Sequence, residues 1–215
     1  MRITERLMGL TRLKDFGPLF SKDHLLFSLC CDQKDIAIHL ADAFREFDQV
    51  EVIHGDILKL KSDALVSPGN SFGEMSGGLD RTIDNFYNGK AEKMATDRIR
   101  SDYMGELPVG CSVVLEMNTK RFPFLILAPT MRIPGIVKSS HNAYLAFRGS
   151  LVAIAKYNQH RERKIRSVAI PSMCTGVGGM DPKVSSLQMM KAFENVAIGL
   201  WEKVAHPSLA PFANQ

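Results

Sequence analysis

The sequence predicts an α/β fold, with a mostly parallel sheet covered by helices on both faces. Two observations carry this prediction. Apolar runs of strand length alternate along the chain with helical patterns, and 45% apolar with 23% charged residues is an ordinary globular composition. At 215 residues, the chain is long enough for one sizeable domain. We place this domain at residues 23–205, with an N-terminal extension at 1–22 and a tail at 206–215.

The first half of the chain is predicted to run strand, helix, strand, strand. An apolar run at 25–31 is followed by Asp32, a residue type that caps helices. Apolar residues then recur at three- and four-residue steps up to Phe47, which predicts a helix. Strand patterns follow at 50–53 and 63–67, and the turn dipeptide Pro-Gly ends the second of them.

The second half continues this alternation. A helical pattern opens with Leu79, Ile83 and Phe86. The other predicted helices lie near 91–104, 139–158 and 182–203, and the predicted strands at 112–116, 124–128 and 167–171. Strands that alternate with helices imply parallel pairing, because a helix returns the chain to the same end of the sheet.

Composition narrows the classes of ligand. The net charge of +4 is too small to indicate a nucleic-acid surface, and the densest basic cluster, 161–166, is interpreted as a solvated turn. A small anionic ligand is favoured, and nucleic acid stays an open alternative. The four cysteines form no C-x-x-C pair and no zinc spacing, so we expect no metal and no cofactor.

The chain shows no signal peptide or membrane span. Charged residues interrupt the apolar positions of the first 13 residues, and no run approaches the roughly 18 apolar residues that span a bilayer. We therefore expect a cytoplasmic protein without membrane contact.

The first candidate site residues are Asp56 and Ile57, directly after the strand that ends near His54. Ligands of α/β sheets bind at the carboxyl ends of strands, and a carboxylate there can accept a hydrogen bond from an exocyclic amine such as that of adenine. The alternative is a turn aspartate that caps its own backbone.

The second candidate is the glycine-bearing segment 67–80, between a strand and a helix. Glycines allow the backbone to approach a ligand closely, and Asn70 offers a donor and an acceptor to a sugar hydroxyl. Asp80, placed one residue into the helix, is either a helix-dipole partner or a base near a ribose. The remaining candidate binding residues of this segment are Ser76, Gly77, Gly78 and Leu79.

The third candidate is the segment 171–180, with three glycines in four positions. Such a loop can form a nest of backbone N–H groups that binds a phosphate, although a flexible connection is the alternative. Its candidate binding residues are Cys174, Thr175, Gly176, Val177, Gly178, Gly179 and Met180. Two such loops after separate strands indicate a diphosphate held from both sides. Neither loop fits the Rossmann or P-loop pattern.

Together these segments resemble the macro domains. Residues 52–57 (Val-Ile-His-Gly-Asp-Ile) are similar to the opening strand and Gly-Asp-Ile-Thr turn of that family. Residues 63–71 (Asp-Ala-Leu-Val-Ser-Pro-Gly-Asn-Ser) resemble its Asp-Ala-Ile-Val-Asn-Ala-Ala-Asn-Ser, and 77–80 its Gly-Gly-Val-Asp. Residues 171–179 resemble its second phosphate loop. The match covers about residues 50 to 200, in order.

The resemblance implies a three-layer α/β/α sandwich, with a mixed and mostly parallel sheet, that binds ADP-ribose or an ADP-ribosylated molecule. It implies that Asp56 binds the adenine amine, that Ile57 lies beside it, and that both loops surround the diphosphate and distal ribose. In hydrolytic members, the residues matching Asn70 and Asp80 act near the distal ribose. The resemblance thus points to an ADP-ribosyl hydrolase acting on mono-ADP-ribosylated protein or O-acetyl-ADP-ribose.

Three departures from the family pattern keep other functions open. Ser67 replaces the first asparagine of the family pair, and Glu74 and Met75 interrupt the glycine run. The aromatic residue of the second loop is also absent. A non-catalytic ADP-ribose reader and an interaction module without a ligand are therefore the alternatives. A nucleophilic role for Cys174 is not favoured, because no histidine is paired with it in the sequence.

Overall fold

The protein is an α/β sandwich around one six-stranded sheet. The computed structural model describes residues 17, 20 and 25–212. The strands are β1 (Leu26–Cys31), β2 (Val50–His54), β3 (Ala64–Ser67), β4 (Val113–Glu116), β5 (Phe124–Leu127) and β6 (Ser167–Pro171). Each predicted strand is present, and its bounds differ from those predicted by at most one residue.

The sheet has the strand order β2-β1-β6-β3-β5-β4. β1 pairs in parallel with β2 and β6, and β3 pairs in parallel with β6 and β5. Only the edge strand β4 is antiparallel, against β5. The sheet is therefore mixed and mostly parallel, as predicted.

Five α-helices cover the two faces of this sheet. They are α1 (Lys34–Phe44), α2 (Gly78–Phe86), α3 (Lys90–Tyr103), α4 (Asn142–His160) and α5 (Pro182–Val196). Short 3-10 helices lie at Ile57–Lys59, Leu200–Lys203 and Pro207–Leu209. Buried residues of α1, α4 and α5 share one core with the sheet, and those of α2 and α3 share the other. The three-layer α/β/α fold is thereby confirmed.

Aromatic rings hold the first of these cores together. Phe193 of α5 lies edge-to-face with Phe27 at 5.4 Å, with Phe44 at 5.8 Å and with Phe47 at 5.1 Å between ring centroids. Edge-to-face pairs contribute about 0.5–1.5 kcal/mol beyond burial. Phe193 thus joins a helix, a strand and the turn after α1.

The helices α1 and α5 end earlier than the periodicity predicts. The pattern up to Phe47 continues past the end of α1 at Phe44, because Phe47 is buried from a turn in which its N–H donates to the Phe44 carbonyl. The prediction of one helix over 182–203 is wrong at its end. α5 stops at Val196, and Gly199 adopts a φ of 88° before a separate 3-10 helix.

The two predicted terminal segments contribute contacts where they are described. Within 1–22, only Gly17 and Phe20 belong to the described residues, and Phe20 is fully buried against Phe27. In the tail, the ring of Phe212 lies 5.5 Å from that of Tyr144. No helix of the described residues is long and apolar enough to cross a bilayer.

We expect Phe193→Ala to lower the free energy of unfolding by about 3–5 kcal/mol, because it removes a fully buried ring at the centre of the aromatic cluster. Urea denaturation followed by circular dichroism measures this. The matched control is Leu187→Ala on the same helix, where the side chain is exposed and a loss below about 1 kcal/mol is expected. Equal losses for the two variants would contradict this description of the core.

Candidate functional site

A cleft of about 650 Å³ opens at the carboxyl ends of the parallel strands. Its walls come from the segments that follow β1, β2, β3, β5 and β6. All of the residues predicted as a binding site line this cleft, except Gly179 and Met180. The structure therefore brings the three sequence segments together around a single cavity.

Gly179 and Met180 do not line the cleft. Met180 is 2% exposed and belongs to the core, and its N–H donates to the Cys174 carbonyl at 3.0 Å. Gly179 adopts a φ of 63° and donates to the Gly176 carbonyl. These two residues close the loop after β6 instead of facing the cavity, so their sequence-based placement at the ligand is not supported.

The loop after β6 presents backbone donors to the cleft. Within the described part of the chain, the N–H groups of Thr175, Gly176, Val177 and Gly178 donate to no protein acceptor. A Cβ built on Gly176 would meet nothing within 4 Å, so the cleft side of this residue is open space. Successive unpaired N–H groups in a tight loop form an anion-binding nest.

The loop is held rigidly against the segment that follows β5. A Cβ on Gly178 would lie 2.6 Å from the Cys174 carbonyl oxygen and 2.8 Å from Val137 Cγ2. The Gly178 carbonyl also accepts from the Val137 N–H at 2.8 Å. Glycine is required at position 178 because any side chain would displace the backbone. The loop after β6 is thereby held against the segment after β5.

The second wall is the N-terminal end of α2. Gly77 is its N-cap without a side-chain cap, and the first N–H groups of a helix have no intrahelical partner. Built Cβ atoms on Gly77 and Gly78 meet nothing within 4 Å. The partial positive charge of this helix end therefore faces the cavity.

Asp80 is the third residue of α2, one position later in the helix than predicted, because α2 begins at Gly78 and not at Leu79. Its Oδ1 accepts from Ser67 Oγ at 2.6 Å, and a Cβ on Gly69 would lie 3.1 Å from Oδ2. Within the described residues, Oδ2 accepts no hydrogen bond. Burial raises the pKa of Asp80 to about 6, the Ser67 bond lowers it, and the charge of Glu74 raises it.

Asn70 is engaged within its own loop. Its Nδ2 donates to the Glu74 carbonyl at 2.8 Å and to Glu74 Oε2 at 3.3 Å, while its Oδ1 accepts from the Phe72 N–H at 3.0 Å. The amide that was predicted to face a sugar hydroxyl therefore shapes its own loop. The side chain is 8% exposed.

Asp56 caps its own backbone, which is one of the two roles that the sequence left open. Its Oδ1 accepts from the Leu58 N–H at 2.9 Å and caps the short 3-10 helix. Its Oδ2 lies 3.9 Å from Lys59 Nζ and is half exposed at the cleft. One carboxylate oxygen is thus structural, and the other can accept from a ligand.

Sequence reasoning missed two parts of the wall. Residues 30–33 at the end of β1 and the segment after β5, with Thr130, Met131 and Pro134, also line the cleft. The strand order brings them there, because β1 and β5 flank the strands whose loops were recognised. No glycine pattern marks these segments, so only the topology could have identified them.

The cysteines near the cleft are not activated nucleophiles. Burial raises the pKa of Cys174 and that of Cys30 to about 12, so both thiols are protonated at neutral pH. Burial also raises the pKa of Cys31. Among the described residues, no three His, Cys, Asp or Glu side chains are grouped as a metal site.

Comparison with known proteins identifies the family of the chain. A family model described as a Macro-like domain matches residues 55–206. A protein of Aquifex aeolicus (strain VF5) is 30% identical over 155 residues, which are 72% of this chain and 87% of that protein.

Solved structures are similar at the level of the fold. The macrodomain of Mycobacterium tuberculosis DarG has a TM-score of 0.56 and 22% identity, over 66% of this chain and 88% of its own. Thermosipho africanus DarTG in complex with ADP-ribose has a TM-score of 0.51 and 16% identity, over 77% of this chain and 50% of its own. This chain thus spans half of that structure. Because the family model matches residues 55–206, which are more than half of the chain, the chain belongs to the Macro-like domain family.

Proposed function

We propose that the cleft binds ADP-ribose and that the protein hydrolyses ADP-ribosyl linkages at its distal end. In this arrangement, the adenine lies beside Asp56 and Ile57. The diphosphate lies between the nest at 175–178 and the start of α2, and the distal ribose lies near Asn70 and Asp80. The ADP-ribose complex of the similar DarTG structure supports the choice of ligand.

The observation that carries the hydrolase proposal is the state of Asp80. The carboxylate is fixed through Oδ1 by Ser67, while Oδ2 accepts no hydrogen bond from the described part of the chain and the side chain lines the cleft. A base is most effective when its pKa lies near the working pH, and the raised pKa of about 6 meets this condition. Asp80 would take a proton from water that attacks the anomeric carbon, and would pass it to the leaving group.

A non-catalytic reader is the second candidate, and the contacts of Asn70 favour it. The amide donates both to the backbone and to the carboxylate of Glu74, so it does not present a free donor to a ribose. Binding by the two backbone walls requires neither Asn70 nor Asp80 to act chemically. The reader and the hydrolase thus share a cleft and differ in the role of Asp80.

We expect Gly176→Val to weaken ADP-ribose binding by at least tenfold, since its side chain would fill open space beside the unpaired N–H groups. Isothermal calorimetry measures the affinity, and a thermal-shift assay reports binding independently, because ligand at 100 times Kd stabilises by about 2.7 kcal/mol. The matched control is Gly135→Val, outside the cleft, where only ordinary contact with the Ile133 carbonyl is met. Unchanged affinity of the Gly176 variant would contradict the placement of the diphosphate.

We expect Asp80→Asn to abolish release of ADP-ribose from a mono-ADP-ribosylated protein, because an amide cannot accept the proton of water. ADP-ribose affinity should change by less than about tenfold, since the amide oxygen can still accept from Ser67. Chromatographic detection of released ADP-ribose decides between the candidates. A wild-type protein that binds but releases nothing at high enzyme concentration is a reader.

We also expect Asp80→Asn to raise the free energy of unfolding at pH 7.5 by about 1 kcal/mol or more. The folded-state pKa of about 6 lies above the ordinary value of 3.8, so the ionised carboxylate destabilises the fold. Wild-type stability should therefore increase as the pH falls through 6, and the advantage of the variant should shrink at pH 5. Urea titrations at pH 7.5 and pH 5 measure the free energies of unfolding of wild type and variant. A difference between the two proteins that is larger at pH 5 than at pH 7.5 would refute this prediction.

A further inference from the structure

Glu74 lies inside the cleft, on the loop between β3 and α2. Its Oε1 accepts from the Ser76 N–H at 2.9 Å, and its Oε2 accepts from Asn70 Nδ2 at 3.3 Å. The side chain is thus held at the distal end of the cavity by two donors from its own loop.

The charge of Glu74 is stabilised where it lies. The hydrogen bonds from Ser76 lower the pKa of Glu74, burial raises it, and the bond from Asn70 lowers it, with a net decrease. The same charge raises the pKa of Asp80. Two carboxylates therefore converge on one end of the cleft, and Glu74 is ionised at neutral pH.

The described residues that line the cleft provide no counter-charge to Glu74. Among the described residues that line the cleft there is no Lys, Arg or His, whereas the acidic members are Asp32, Asp56, Glu74 and Asp80. Arg132, on the segment after β5, is held by both carboxylate oxygens of Glu106 at 2.7 and 2.9 Å. An anion bound in this cleft would therefore be stabilised by the backbone N–H groups at 175–178 and at the start of α2.

We propose that Glu74 determines specificity, by excluding ligands with a phosphate on the distal ribose and admitting a distal ribose that is free or joined to a neutral or cationic group. This inference rests on the proposed binding of ADP-ribose. It deepens that proposal by naming the substrate class, namely ADP-ribosyl groups on neutral or cationic acceptors.

The physical reason is the contrast between hydroxyls and phosphate at this end of the cleft. A ribose hydroxyl can donate to the free Oδ2 of Asp80, and a neutral or cationic acceptor meets no repulsion from Glu74. A phosphate at the anomeric carbon offers only acceptor oxygens and negative charge. It would face two carboxylates, and none of the described residues that line the cleft is a cation that could neutralise it.

The test compares the affinities for ADP-ribose and for ADP-ribose phosphorylated at the anomeric carbon, by isothermal calorimetry at pH 7.5 and low salt. We expect wild type to bind the phosphorylated ligand at least tenfold more weakly. In Glu74→Gln, whose amide oxygen can still accept from Ser76, the ratio should fall below about threefold. The ratio in wild type should also shrink as salt is raised.

Two further variants test whether the effect comes from the charge at position 74. One controls for the shape of the loop, and the other controls for the net charge of the protein. Glu74→Asp keeps the charge and shortens the side chain, and we expect it to retain most of the discrimination. Glu162→Gln removes the same charge from an exposed position on the loop before β6, at the opposite end of that strand from the cleft, and should leave the ratio unchanged. A Glu162 effect as large as that of Glu74 would assign the effect to net charge and overturn the inference.

The outcomes also distinguish this inference from the proposed function. Equal wild-type affinity for the two ligands, or an unchanged ratio in Glu74→Gln, would overturn the role of Glu74 while ADP-ribose binding stands. Absence of any ADP-ribose binding by wild type would overturn the proposed function, and this inference with it.

Discussion

The position of β6 between β1 and β3 is the constraint on which the cleft depends. In parallel sheets, chains leave neighbouring strands at the same edge, so the loops after β1, β6 and β3 converge without any direct attraction between them. Parallel order in turn requires helices that return the chain across both faces. The aromatic cluster around Phe193 fixes one of those helices to the sheet. Core packing thus sets the spacing between the two loops that face the cavity.

Backbone groups and carboxylates dominate the chemistry of this cleft. Its donors to an anion are N–H groups of the nest at 175–178 and of the first turn of α2. The charged side chains among the described residues that line it are all carboxylates. A macro domain with this composition would attract a diphosphate through dipoles and would surround the rest of the ligand with acceptors. Under the proposed function, its selectivity would depend more on the acidic positions than on the net charge of the chain, which is weakly positive.

The sequence predicted the elements and the two glycine-rich walls because both leave local signals. Apolar periodicity located every strand to within one residue, and glycine density located the loops. The sequence could not predict features that depend on contacts between segments far apart in the chain. The end of α5 depends on the left-handed Gly199, and residues 30–33 reach the cleft only through strand order. The contacts of Glu74 depend on how its loop folds back onto Asn70, which no periodic pattern encodes.

The hydrogen bond from Ser67 to Asp80 joins the last residue of a buried strand to the helix across the cavity. The carboxylate is therefore positioned by the rigid sheet and by α2, not by the residues of the intervening loop. Substitutions at 72–76 can then alter which molecules enter without displacing the group proposed to act on them. The two positions then remain coupled through charge and not through geometry, because the charge of Glu74 raises the pKa of Asp80.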